Sequence, residues 1–155
     1  DLFRQILRAQ KSGKELTPEE QETRAACVKR LKNLGGAWLI YTADSEGRMP
    51  ENLEALLPYL GGAGARPLLA CPSADESIPG YIYVKSADNM FRLEAPEEVM
   101  LIFDKRGNHR GGRNVLFVDE HVEWINEETF QKRWAEQRQK CDLPALKERG
   151  DRVEE

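Results

Sequence analysis

The sequence predicts an α+β fold in which a long N-terminal helix packs on a small antiparallel sheet and a short helix follows. Three observations carry this prediction. Apolar residues recur at helical spacing between Pro18 and Ala43, apolar runs of strand length follow between Val99 and Ile125, and a helix N-cap stands at Asn126. A helix, then strands, then a helix is the order of an α+β fold and not of an alternating α/β sheet.

The long helix has the clearest boundaries. Thr17 is a suitable N-cap, Pro18 suits the first helical position, and Glu20 completes a capping box with Thr17. An apolar stripe near the helical period then runs through Val28, Leu31, Leu34, Trp38 and Tyr41. The pair Gly35 and Gly36 costs on the order of 1 kcal/mol per glycine relative to alanine, which is tolerable where another element packs closely.

Shorter apolar segments follow the helix, at 51–60 (a short helix) and at 81–84, 99–103 and 115–118 (strands). A polar loop, 105–113, precedes the last of these strands. Asp119 and Glu120 then lead into a strand over 121–125, which is the spacing of a two-residue type I′ hairpin. We expect the core to include Leu31, Leu34, Trp38, Leu101, Phe103, Leu116 and Phe117.

Composition indicates one globular domain. The 155 residues are 40% hydrophobic and 32% charged, with a net charge of −4, so no nucleic-acid partner is expected. We predict a helical extension over 1–16, a globular domain over 17–142 and a charged, flexible tail over 143–155. Because the chain begins at Asp1 and not at a methionine, we expect that a native N-terminal segment has been removed.

Candidate binding residues lie in two loops. The glycine-rich loop 105–113 could hold an anion, with a solvated loop as the alternative. Its candidate residues are Lys105, Arg106, His109, Arg110 and Arg113. Asp44 and Glu46 are weak calcium candidates, but the alternating oxygen ligands of a full calcium loop are missing, so a helix-ending turn is preferred and no cofactor is expected.

The cysteines do not form a recognisable metal motif. Cys27, Cys71 and Cys141 include no C-x-x-C pair and the chain has two histidines, which argues against a structural zinc site. The number of cysteines is compatible with either an oxidising or a reducing compartment.

Several stretches together resemble a large group of bacterial pseudopilin-like proteins. The segment from Cys27 through Tyr41 to Pro50 resembles the region that follows the hydrophobic N-terminus in that group. Residues 57–60 overlap a stretch similar to its L-x-x-Y motif, and residues 71–73 match its C-P-S motif. His109, followed by Asp119, matches its C-terminal H-x9-D-G signature, except that Glu120 replaces the glycine.

The resemblance implies a non-enzymatic assembly subunit, similar to the soluble head of a type II secretion pseudopilin or a type IV pilin-like protein. Its partners would be other pilin-like subunits or secretion-apparatus proteins. It would lie on the periplasmic or extracellular face, held to the membrane only by an N-terminal anchor. The resemblance also implies a Cys27–Cys71 disulfide, worth roughly 4 kcal/mol in the chain-entropy model, with two unpaired buried thiols as the alternative.

Two other functions remain as alternatives. One is a periplasmic or cell-surface binding module that uses the loop 105–113 for an anionic ligand. The other is a hydrolase that uses His109 and Asp119, although no recognisable nucleophile motif accompanies them. Asp119 is better explained as a turn residue, since aspartate hydrogen-bonds its own backbone in turns.

Overall fold

The computed structural model describes residues 16–72 and 80–146 and confirms the α+β order of elements. Helix α1 spans Pro18–Asp44 and helix α2 spans Glu127–Cys141. The strands between them are β1 (Ile82–Tyr83), β2 (Met100–Phe103), β3 (Gly112–Phe117) and β4 (Val122–Asn126). Short 3₁₀ helices occupy the connections, at Leu53–Tyr59, Ala63–Leu69, Met90–Arg92 and Pro96–Glu98.

The predicted N-terminal extension and C-terminal tail lie largely outside the residues that the structure describes. The helical extension over 1–16 is described only at Leu16, and the tail over 143–155 only through residue 146. Within the described ranges, neither α1 nor α2 combines the length and apolar character that crossing a membrane requires.

Helix α1 begins where the capping box predicts. Thr17 is extended (φ −66°, ψ 160°), its Oγ1 accepts a hydrogen bond from the Glu20 amide at 3.1 Å, and the Glu20 carboxylate accepts one from the Thr17 amide at 3.2 Å. The sequence predicted that another element packs closely against the glycine pair of α1, and β3 does so at Gly35. A Cβ there would lie 3.1 Å from a Leu116 methyl and 2.2 Å from the Glu120 carboxylate, so a larger residue would force α1 away from β3.

The sheet is antiparallel throughout, in the order β1-β2-β3-β4, as predicted. Strand β3 starts at Gly112 and not at the predicted Val115, because its polar residues have partners inside the fold. The Arg113 guanidinium pairs with Glu127, and the side-chain amide of Asn114 donates to the Arg24 carbonyl at 3.2 Å.

Both faces of the sheet are covered, one by α1 and the other by α2. Leu116 and Val118 pack in the core beneath α1, while Val115 and Phe117 pack with Phe130 of α2. In β3, successive side chains therefore alternate between the two faces. This alternation is interrupted in β2, where a bulge between Met100 and Ile102 shifts the register. All seven residues predicted for the core are buried: Leu31, Leu34, Trp38, Leu101, Phe103, Leu116 and Phe117.

The β3–β4 hairpin differs from the predicted two-residue type I′ turn. The Glu120 amide donates to the Phe117 carbonyl at 2.9 Å, and the Phe117 amide donates to the His121 carbonyl at 2.9 Å. Only Glu120 has a positive φ (79°) in this loop, so the connection is a turn followed by one left-handed residue in a bulge. Type I′ geometry would require a positive φ at Asp119 as well.

The Glu120 side chain turns back toward α1. Its Oε2 fills the space beside Gly35, and its Oε1 is buried with no hydrogen-bond partner. Burial, together with the negative charge of Asp119, raises the pKa of Glu120 to about 7. Both the backbone and the carboxyl group of Glu120 are therefore held under strain.

Two substitutions of Glu120 separate the destabilising effect of its left-handed backbone from that of its buried carboxyl group. We expect Glu120→Gly to raise the free energy of unfolding by about 1 kcal/mol or more, because it relieves the left-handed backbone and removes the buried carboxyl group. Glu120→Ala removes only the carboxyl group and should stabilise less. Urea denaturation midpoints at constant m-value measure both changes. A glycine variant no more stable than the alanine variant would contradict the backbone contribution.

The carboxyl group also predicts a pH dependence. Because its pKa is higher in the folded chain, the proton on Glu120 stabilises the fold most below pH 4.5, and that stability is lost as the pH rises through about 7. Between pH 5 and pH 8, wild type should lose about 1 kcal/mol relative to Glu120→Gln, a value reduced because the side chain is half-buried. A constant difference between the two proteins across this range would contradict the assignment.

Candidate functional site

Four buried side chains converge between α1 and the sheet. They are Cys27, Cys71, Asp104 and His109, called the tetrad below. One donor atom from each lies within 4.8 Å of the others, and among residues 16–72 and 80–146 this is the one group of three or more potential ligands that does so. Cys27 and Asp104 are 0% exposed, and Cys71 is 3% exposed.

The two cysteines of the tetrad come from different structural elements, helix α1 and the segment after the second 3₁₀ helix. Cys27 lies on the buried stripe of α1, one turn before Leu31. Cys71 follows the 3₁₀ helix Ala63–Leu69, and this segment is fastened to α1 by Arg30. The Arg30 guanidinium donates to the Ala70 carbonyl at 2.9 Å, directly beside Cys71.

Asp104 is fixed by the start of β3. Its backbone amide donates to the Asn114 carbonyl at 3.2 Å, and its carboxylate accepts from the Asn114 amide at 2.9 Å. The Asn108 side chain also donates to this carboxylate, at 3.4 Å. Asp104 directly follows β2, so the end of that strand determines where the carboxylate lies.

His109 completes the tetrad from the loop before β3. Its Nε2 lies 3.2 Å from the Asp104 carboxylate and 3.3 Å from the Cys71 sulfur. The Cys27 thiol donates to Asp104 at 3.2 Å and lies 3.1 Å from the Tyr81 hydroxyl. The imidazole meets the Trp124 ring edge to face, with centroids 5.9 Å apart.

The tetrad strongly perturbs its own protonation. Burial alone lowers the pKa of His109, but hydrogen bonds and charges from Asp104 and Cys71 outweigh it and raise that pKa to about 9. A hydrogen bond with Cys71, then burial and the Asp104 charge, raise the pKa of Cys27, while burial raises that of Tyr81. Fully deprotonated, the tetrad would carry three negative charges, which a buried site accommodates only with a cation.

The geometry does not match a nucleophilic triad. In a triad, the nucleophile and the carboxylate contact opposite nitrogens of the imidazole. Here Cys71 and Asp104 both contact Nε2 of His109. The sulfur atoms are also closed off from solvent, so the arrangement offers a set of converging ligands and not an accessible nucleophile.

The predicted disulfide is not formed in the structure. Cys27 and Cys71 are brought together, with sulfurs no more than 4.8 Å apart, but both are free cysteines, as is the half-buried Cys141. A disulfide places its sulfurs about 2.05 Å apart. Without a covalent bond between them, Cys27 also contacts Asp104 and Cys71 also contacts His109.

The signature residues His109 and Asp119 have different partners. They flank the six-residue strand β3, which spans about 20 Å. His109 joins the tetrad, whereas Asp119 accepts a hydrogen bond from the His121 amide at 3.1 Å and contacts its imidazole. The prediction of Asp119 as a turn residue is confirmed, and a His109–Asp119 pair is not formed.

The predicted basic loop does not gather its charges into an anion site. Buried Arg113 makes two 2.8 Å hydrogen bonds to Glu127 and lies over the Phe130 ring. Arg106 lies 3.5 Å from the same carboxylate, and Arg110 pairs with Glu20 at 2.9 Å. His109 faces the interior, and Lys105 is half-buried. The loop therefore directs its cations mainly toward carboxylates of its own chain.

The weak calcium candidates form a turn. The Asp44 carboxylate accepts a hydrogen bond from the Tyr59 hydroxyl at 3.0 Å. Glu46 is exposed with φ 58°, and its carbonyl accepts from the Asn89 side chain at 3.0 Å. These interactions agree with the preferred interpretation of a turn that ends α1.

Comparisons with known proteins identify no relative of the chain. No protein-family model, curated protein or solved structure matches the chain. The resemblance to pseudopilin-like proteins therefore depends on the motifs in the sequence itself.

Sequence reasoning missed Asp104 and Tyr81 as members of the site. One local signal was present, since Asp104 is a charged residue placed directly after a buried strand. Tyr81 carries no comparable signal, because a tyrosine in a β-rich segment is ordinary core composition.

Two arginines that share Glu127 provide a test of the buried ion pair. Arg113→Met should lower the free energy of unfolding by about 2–4 kcal/mol, because it leaves a partly buried carboxylate with a poorer partner. Arg106→Met removes a more exposed cation and should cost less than about 1 kcal/mol. Chemical denaturation of both variants measures the difference, and equal losses would contradict the assignment.

Proposed function

We propose that the chain is the head domain of a pilin-like assembly subunit, a non-enzymatic protein of the periplasm or cell surface. The observation that carries this proposal is the position of the signature stretch. Residues 109–119 supply His109 and then the buried interior strand β3, on which α1 packs. The stretch that resembles pseudopilins is thus the stretch around which this fold is organised.

The start of α1 affects how an anchor would be attached. Thr17 is extended and Pro18 has no amide hydrogen to continue a helical ladder, so α1 does not run unbroken into the preceding residues. An N-terminal anchor would therefore join the head through a break near Thr17. Such a head would keep its orientation by contacts with neighbouring subunits more than by a continuous helical stem.

The outer face of α1 is a suitable surface for those contacts. Leu39 and Ile40 are 45% and 51% exposed, although the buried stripe of the same helix holds Leu34 and Trp38. Adjacent exposed aliphatic residues favour burial against a partner. Side-by-side packing of heads would cover them.

The tetrad and the basic loop give less support to the alternatives. Closed to solvent, the tetrad is a poor site for hydrolysis, and Arg110 and Arg113 already pair with Glu20 and Glu127. A binding module for anions would present these cations outward. The assembly function accounts better for a closed interior combined with the exposed residues Leu39 and Ile40 on α1.

Photo-cross-linking in cells tests this proposal. The full-length gene product, carrying a photoreactive residue at Ile40, should be recovered with the membrane and cross-link to pilin-like subunits, identified by mass spectrometry. The matched control places the same residue at Gln139, an exposed position on α2 at the other face of the sheet. Equal products at both positions, or recovery of the protein outside the envelope fractions, would contradict the proposal.

A further inference from the structure

The tetrad has the ligands, distances and burial of a metal centre. We propose that Cys27, Cys71, Asp104 and His109 bind one zinc ion in a closed, structural site. This inference does not depend on the proposed assembly function, because it concerns only how the interior is held together.

Three of the six distances between the donor atoms are close to the edges of a zinc tetrahedron, and all six are within 4.8 Å. Zinc lies about 2.3 Å from sulfur and about 2.0–2.1 Å from nitrogen or oxygen, so the edges of the tetrahedron are about 3.3 Å for N–O and about 3.5 Å for S–N and S–O. The corresponding distances are 3.2 Å for His109–Asp104, 3.3 Å for Cys71–His109 and 3.2 Å for Cys27–Asp104. Small outward movements of the side chains would therefore admit the ion.

The ligand types favour zinc over other common cations. Two thiolates and one imidazole suit a borderline-soft ion with no geometric preference of its own, whereas calcium and magnesium prefer sets of oxygen ligands. The dipositive charge would also offset most of the negative charge of two thiolates and Asp104. A buried site with this composition is stable only when that charge is compensated.

The surroundings of the tetrad indicate a structural role. Four protein ligands complete the tetrahedron and leave no position for a substrate, which distinguishes structural from catalytic zinc sites. The Asp104 carboxylate is oriented by the Asn114 amide and the Asn108 side chain, and Cys27 is contacted by Tyr81. Such outer partners hold the ligands of metal sites in place.

The ion would connect four segments that are distant in sequence. Cys27 comes from α1, Cys71 from the segment after Ala63–Leu69, Asp104 from the end of β2 and His109 from the loop before β3. The same two sulfurs cannot form a disulfide and bind zinc. The metal centre and the Cys27–Cys71 bridge are therefore mutually exclusive, and experiment can distinguish them.

The first test measures binding to the intact chain under reducing conditions. We expect one zinc ion per chain by native mass spectrometry and metal analysis, and cobalt(II) should give the intense absorption of a tetrahedral thiolate complex. Zinc at about 100 times its Kd should raise Tm by roughly 5 to 10 °C, and a chelator should reverse the shift.

Cys71, Asp104 and His109 can each be paired with a residue of the same type outside the tetrad as a control. Cys71→Ser, Asp104→Asn and His109→Gln should each weaken zinc binding by more than about 100-fold, since loss of an outer partner alone costs 10–100-fold. The controls Cys141→Ser, Asp119→Asn and His121→Gln make the same chemical changes outside the tetrad and should bind zinc normally. If a tetrad variant does not fold, the stoichiometry and cobalt spectrum of the wild type decide the question.

Several outcomes would overturn the proposal. One is a reduced wild-type chain that binds no zinc, and another is binding that the controls weaken as much as the tetrad variants. A protein isolated from its own cells with Cys27 and Cys71 oxidised, lacking two hydrogens by mass and carrying no metal, would favour the disulfide instead. A native protein carrying a different metal would overturn the assignment to zinc.

Discussion

The buried residue Asp104 is the constraint on which the rest of the structure depends. Its carboxylate accepts hydrogen bonds from the Asn114 amide and the Cys27 thiol, and lies 3.2 Å from His109. Its backbone carbonyl accepts from the Arg113 guanidinium at 3.3 Å. A carboxylate that is 0% exposed is tolerable only with such compensation, so its burial requires α1, β2 and β3 to meet at one point.

The start of β3 extends this constraint to both faces of the sheet. Neighbouring residues in a strand point to opposite faces, and Arg113 and Asn114 use this alternation. Arg113 pairs with Glu127 and so fixes α2, whereas Asn114 donates to the Arg24 carbonyl and so fixes α1. The two helices thus meet the sheet in a defined register through polar contacts, and apolar packing by Leu116 and Phe117 fills the remaining interface.

The sequence predicted α1 well, because its start and its buried face depend on residues that are close together in the chain. The capping box at Thr17 placed the start of α1 correctly, and the apolar stripe identified its buried face. The sequence predicted the start of β3 three residues too late, because an arginine next to glycines is typical of a loop. The burial of Arg113 depends on an ion pair with Glu127, which lies in a later helix. The tetrad was missed for a similar reason, since its ligands have no common motif and meet only in the folded chain. The type I′ turn predicted at Asp119 and Glu120 was wrong, because the turn type depends on the hydrogen bonds of the whole hairpin.

Anomalous diffraction at the zinc absorption edge, on crystals of the reduced chain, tests the central claim most directly. We expect one anomalous peak among the four donor atoms, about 2.3 Å from the sulfurs of Cys27 and Cys71 and about 2.0–2.1 Å from Asp104 and His109. No anomalous peak, with the two sulfurs either bonded or protonated around Asp104, would contradict it.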